Sequence, residues 1–213
     1  MKIVVFGAAG IIGRRLIDQL LSQHHQVVAY DRNIDQWLDK SSEQDEIVVI
    51  KGYLLDRKEV EKAIRGTDVV FFLVSGEKEV GDISRSGGIR QVIAGMVATG
   101  VQRLLVLGDV LLLEDKEGKM IADKDDFPVE QSSYAEEYKK MWQQVQASPL
   151  EWTVVCPVQL IDGPEEKAYI TFREIEIEQN FTPTTSGDLC RFMIREMTNN
   201  EFIHQRVGIT SSE

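Results

Sequence analysis

Short apolar runs alternate with segments of helical periodicity along most of this 213-residue chain. KIVVF at residues 2–6 has the pattern of a strand buried on both faces. After it, Ile12, Leu16 and Leu20, flanked by Ile17 and Leu21, recur at helical spacing. QVVAY at 26–30 is a second strand, and after a polar stretch to about Glu46, IVVI at 47–50 is a third. A short helix carrying Val60 and Ile64 leads to VVFFLV at 69–74. A helix with Ile89, Ile93, Met96 and Val97 then ends at Gly100, a C-cap residue, before LLVL at 104–107. Ser133 and Glu136 form an S-x-x-E capping box that predicts the start of a helix with Tyr138, Met141 and Val145 on one face. WTVVC at 152–156 is stopped by Pro157. Strand and helix alternating in this way require parallel strands joined by right-handed crossovers, an α/β doubly wound parallel sheet. Residues 163–185, polar and broken by prolines and by β-like runs such as Ala168–Phe172, predict a small C-terminal excursion off that sheet, a substrate-side segment around 158–186. A last helix with Leu189, Phe192, Met193 and Met197 and a run at 206–209 return to the core. Residues 1–213 read as a single domain.

Composition narrows the function classes. Apolar residues make up 43% of the chain, enough for a full core. The net charge of −11, with no basic tract, argues against nucleic acid as a partner. No apolar stretch approaches the roughly 18 residues that cross a bilayer, so no membrane partner is expected. The passage from Met1-Lys2 straight into a strand argues against a signal peptide. Cys156 and Cys190 lack CxxC spacing and read as reduced core thiols of a cytoplasmic protein. His24, His25 and His204 show no ligand spacing, so no metal is expected.

The first strand-to-helix turn reads Gly7-Ala8-Ala9-Gly10-Ile11-Ile12-Gly13. In a doubly wound sheet this turn lies at the carboxyl ends of the strands, where ligands bind. Gly7 permits the tight turn, Gly10 lets a pyrophosphate meet bare backbone at the helix N-terminus, and Gly13 allows close helix–sheet packing. Asp31 closes the next strand 18 positions after Gly13, where an acid accepts ribose hydroxyls.

The spacing G-x-x-G-x-x-G, followed in order by Gly66-Thr67-Asp68-Val69-Val70, Gly100-Val101-Gln102-Arg103-Leu104, Ser148-Pro149-Leu150-Glu151-Trp152-Thr153 and Gly187-Asp188-Leu189 with Phe192-Met193, resembles the atypical and extended short-chain dehydrogenase/reductase superfamily. The NAD(P)H-binding group of NmrA-like proteins, flavin reductases and biliverdin-IXβ-reductase-like enzymes is the most similar. The resemblance covers nearly the whole chain and implies an NAD(P)-binding Rossmann fold. It carries cofactor contacts onto Gly7, Ala9, Gly10, Ile11, Ile12 and Gly13, onto Asp31 and Arg32, onto Tyr53 and Leu54, onto Val74, Ser75 and Gly76, and onto Pro157. Asp31 favours NAD by repelling a 2′-phosphate, whereas Arg32 stands where NADP-using relatives hold that phosphate. The cofactor is therefore NAD or NADP, with the choice open. Arg32 also reads as a solvated turn residue paired with Asp31 or Asp35. Tyr53 departs from the family, which commonly has an Asp there for the adenine amino group. Asp56 reads equally well as the N-cap of the next helix.

Active members of the superfamily use a Ser at the end of the fifth strand and a Tyr-x-x-x-Lys on the next helix. Counting back from Pro157, Tyr134 takes the Tyr position, Tyr138 the Lys position, and Lys139 falls one residue late, about 100° round the helix. Gly108-Asp109 stands where the Ser is expected, and an anionic Asp109 raises a nearby phenol pKa. Alcohol dehydrogenation by that triad is therefore not the expectation. The resemblance implies instead an NAD(P)H-dependent oxidoreductase passing hydride to a planar flavin- or quinone-like acceptor, with Asp109 as a candidate proton donor and Tyr134 beside it. The alternative is a non-catalytic NAD(P)-binding redox sensor of the NmrA type. The charged loop 114–127 reads as a lid, a partner surface or plain solvated chain, and Trp142 and Phe172 as stacking or core residues. Nothing in the sequence sets the oligomeric state.

Overall fold

Strand β1 (Lys2–Phe6) is buried from Ile3 onward with no alternation of faces, which requires cover on both sides. The computed structural model describes residues 1–34, 46–74, 83–165, 169–175 and 181–212. Its sheet adds β2 (Gln26–Asp31), β3 (Ile47–Lys51), β4 (Val69–Phe72), β5 (Arg103–Leu107), β6 (Glu151–Pro157), β7 (Tyr169–Phe172) and β8 (Gln205–Ser211). The spatial order is β3-β2-β1-β4-β5-β6-β8-β7, parallel throughout except for β7 against β8. The chain winds outward from β1 to β3, then returns to lay β4 on the other side of β1. That reversal opens a crevice at the carboxyl ends of β1 and β4.

Among the described residues five α-helices cover the two faces: α1 (Ile11–Ser22), α2 (Arg57–Ile64), α3 (Ser84–Thr99), α4 (Ser132–Gln146) and α5 (Ser186–Asn199). Leu16, Ile17 and Leu20 of α1 share one core with Leu189, Cys190 and Met193 of α5, packed on Ile3, Val5 and Phe71. The opposite core joins Val60, Ile89, Val92, Met96, Met141 and Val145 to Val4, Phe6 and Phe72. Asp56 caps α2, its carboxylate accepting the Lys58 and Glu59 amides, and Gly100 ends α3 at φ +78°. The α5 residue Glu196, 1% exposed, holds Arg103 of β5 at 2.8 Å and accepts the Thr153 hydroxyl of β6.

Two sequence expectations are revised. The Ser133–Glu136 box does not start α4. A 3₁₀ turn at Val129–Gln131 already begins the helical path, so α4 starts at Ser132 and Ser133 lies inside its first turn. The excursion after β6 does not stay off the sheet. Residues 169–172 return as its antiparallel edge strand, because Gly208 of β8 leaves the space that the Phe172 ring fills. Phe172 stacks on Phe181 at 4.9 Å, so its ring face is used within the chain. Among the described residues no helix is long and apolar enough to cross a membrane.

Candidate functional site

The glycine turn leaves β1 at the switch point. Gly7 adopts φ +87°, and a Cβ there would sit 2.9 Å from the Leu73 carbonyl group. A Cβ on Gly13 would fall 2.2 Å from the Gly7 carbonyl oxygen, so only glycine lets α1 descend this close to the strand. Gly10 differs. It is exposed, in extended conformation (φ −67°, ψ 164°), and no side chain caps the helix at its position. Helix geometry leaves the first-turn amides of Ile11, Ile12 and Gly13 without intrahelical acceptors. Bare donors at the positive end of a helix, approached past a residue with no side chain, fit a pyrophosphate.

Asp31 ends β2 beside that turn. Its carboxylate accepts the Ala9 amide at 3.2 Å and the Asn33 amide at 2.9 Å, which ties the strand end to the glycine loop. Arg32 follows at the surface. Tyr53 is 66% exposed past the end of β3, its carbonyl accepting the Tyr30 hydroxyl. Gly52 makes this possible, since a Cβ there would overlap the Tyr30 ring. Leu54 packs on Gly88, and Val74 is half-buried at the end of the β4 run. Pro157 is buried at the carboxyl end of β6. These residues lie along one edge of the sheet. Ser75 and Gly76 lie outside the described residues, as does Asp35.

Further along the same edge, Asp109 and Tyr134 meet. The Tyr134 hydroxyl donates to the Asp109 carboxylate at 3.0 Å and lies 3.3 Å from the Tyr138 hydroxyl, from which it can accept. Asp109 also accepts the Leu111 amide, so it caps the short turn after β5 as well. Burial first, and the Asp109 charge second, push the Tyr134 phenol above its ordinary pKa. Tyr138 is pushed up further, chiefly by burial. Both phenols therefore stay protonated at neutral pH. The Lys139 ammonium is bound by Asp123 at 2.7 Å and Glu136 at 2.9 Å. Arg85, from the first turn of α3, lies over the ring of Tyr138 at 3.7 Å and of Tyr134 at 5.2 Å.

Residues 7–200 match the family described as NAD(P)H-binding. The chain belongs to this NAD(P)H-binding family. Its cofactor is accordingly NAD or NADP, and the uncapped first turn of α1 fits the phosphates of either. An uncharacterized protein of Mycobacterium tuberculosis is 34% identical over 108 residues, 49% of this chain and 12% of that protein, so this chain spans a small part of such relatives. A proposed NADH-flavin reductase from Streptococcus pneumoniae superposes with a TM-score of 0.83 at 21% identity over 100% of both chains. A short-chain dehydrogenase/reductase from Veillonella parvula, solved with NADP, gives 0.78 at 17% identity over 99% of this chain and 94% of its own. At these identities the likeness is one of fold.

Within this NAD(P)H-binding chain the loop 114–127 has a frame of its own. Glu114 bridges Met120, and the Asp115 carboxylate accepts the Glu117 and Lys119 amides while the Lys124 ammonium sits at 2.7 Å. Those bonds, Lys124 foremost, hold the Asp115 carboxyl down to about 2. Arg206 of β8 anchors the start of the loop through the Leu112 carbonyl and the Glu114 carboxylate. Trp142 is 6% exposed, packed edge-on against Trp152 and under Arg206, and so offers no open ring face. Arg85 escaped the sequence reading. It stands in Ser84-Arg85-Ser86-Gly87-Gly88, which has no motif, and its role depends on rings supplied by α4.

Proposed function

We propose that this chain is an NAD(P)H-dependent oxidoreductase that reduces a planar, flavin- or quinone-like acceptor. The observation that carries the reading is the hydrogen-bonded set Asp109–Tyr134–Tyr138 at the carboxyl end of β5, on the glycine turn's edge of the sheet. In this set the phenol donates a hydrogen bond to a carboxylate and is held protonated, the opposite of the lysine-activated tyrosine that alcohol oxidation requires. The reduced nicotinamide, when bound, supplies hydride. The chain's part is to hold the dinucleotide on the Gly7–Gly13 turn and to leave a half-buried wall at Asp109 and Tyr134. The proton that completes the reduction comes from solvent, either directly or relayed through Asp109. Partners on this reading are small molecules, neither nucleic acid nor membrane, and the setting is the cytoplasm, where the buried Cys156 and Cys190 stay reduced.

The test is oxidation of NADH and NADPH with a panel of flavins, quinones and tetrapyrroles against a panel of simple alcohols and ketones. Turnover is expected on the first panel and little on the second, with Tyr134→Phe close to wild type. Tight dinucleotide binding without turnover on any planar acceptor would overturn the reading in favour of an NmrA-type sensor.

A further inference from the structure

Arg85 is 2% exposed, yet its Nε and Nη2 have no hydrogen-bond acceptor. Among the described residues no carboxylate forms an ion pair with it. A guanidinium taken out of water is normally matched by an anion, because desolvating its charge is costly. The Tyr138 and Tyr134 rings offset part of that cost through their π faces, which leaves two N–H groups aimed at nothing. The nearby Asp109 carboxylate is engaged by the Tyr134 hydroxyl and the Leu111 amide. Asp109 and Tyr134 are both half-buried, so solvent reaches part of the group that the cation packs against.

We propose that Arg85 is the anion-recognition residue of the acceptor site, taking a carboxylate on the planar acceptor through Nε and Nη2. Side-by-side N–H groups of a guanidinium match the two oxygens of a carboxylate, and out of water the pairing is strong. The Tyr138 ring, 3.7 Å from the guanidinium carbon, holds the cation in place for the acceptor. The inference rests on the reductase reading for the identity of the acceptor, but binding tests it without turnover.

The experiment titrates the protein, saturated with oxidised dinucleotide, with 1,4-naphthoquinone-2-carboxylate and its uncharged carboxamide. The wild type is expected to bind the carboxylate at least tenfold more tightly. Arg85→Gln should bring the two within about twofold while leaving dinucleotide affinity unchanged. If Arg85→Gln does not fold, Arg85→Lys, which keeps the charge but not the fork, should shrink the preference severalfold. No preference in the wild type, or a preference that survives substitution, overturns the proposal. A matching loss of dinucleotide affinity also overturns it, by assigning the cation to the cofactor's phosphates. Preferential binding here, with no turnover of any planar acceptor by the protein loaded with NADH or NADPH, leaves the anion site standing and sinks the reductase reading alone.

Discussion

The Asp31 carboxylate reaches back from the end of β2 to accept the Ala9 amide at 3.2 Å. The acid expected to face a ribose is thus also a strut of the glycine turn. Asp31→Asn keeps one acceptor oxygen for Ala9 and removes the charge, so the fold should survive. If Asp31 sets the preference, NADH is the tighter ligand of the wild type and Asp31→Asn narrows the gap to NADPH. If Arg32 holds a 2′-phosphate, Arg32→Ala weakens NADPH alone, by about 1.5–3 kcal/mol for a lost charge-assisted bond. Calorimetry with both cofactors on both variants decides between them, and equal responses would show that neither residue reads the ribose.

The three glycines should fail differently. Gly10→Val is expected to abolish dinucleotide binding while costing under about 1 kcal/mol of stability, since its backbone is extended and its surroundings open. Gly13→Val drives a side chain into the Gly7 and Ala8 backbone and should cost about 3 kcal/mol or more. Urea unfolding beside a binding titration separates the two. Full cofactor affinity in folded Gly10→Val would remove the assignment of this turn.

Alkaline pH should find the tyrosine pair. Tyr134 and Tyr138 have raised pKa values in the fold, from burial first, so the folded state favours their protonated forms. Their contribution is complete below the ordinary phenol pKa of about 10 and is lost as pH climbs through the folded values. Denaturation midpoints should therefore hold to about pH 10 and fall above it, with a shallower fall in Tyr134→Phe. Absorbance at 295 nm should show phenols ionising later than free tyrosine. A titration indistinguishable from that of free tyrosine would contradict the geometry.

Removing Glu196 strands Arg103. With one partner 6% and the other 1% exposed, Glu196→Ala leaves a desolvated guanidinium and should cost about 3–5 kcal/mol. A Tm loss of roughly 6–20 °C follows for a chain of this size. Glu196→Ala combined with Arg103→Met should recover much of it, and additive losses would show that the pair is not coupled.

The central strands and the glycine turn were legible because their causes are local. A strand covered on both faces must be apolar throughout, and a helix pressed on a strand must have glycine where Gly13 stands. Asp109 and Tyr134 could be picked by position in the chain, but their 3.0 Å contact depends on how α4 lies over β5. Arg85 was invisible for the same reason. Nothing near it in sequence says that two rings about fifty positions later will bury it. The run 168–172 was legible as β-like, but its return to the sheet was hidden because its partner strand comes nearly forty residues on.

Helix α1 follows the glycine turn directly, yet the helix beside it on the sheet is α5. The Cys190 thiol donates to the Ile12 carbonyl across 178 positions, and Arg15 pairs with Asp162 on the segment leading to that helix. A ribosome adding roughly 5–20 residues per second would expose the flank of α1 for about 9–36 seconds before α5 emerges. The glycine turn is therefore synthesised well before the helix that locks it in place. A nascent chain halted before residue 186 would hold every glycine of the turn without the helix that clamps α1 in place.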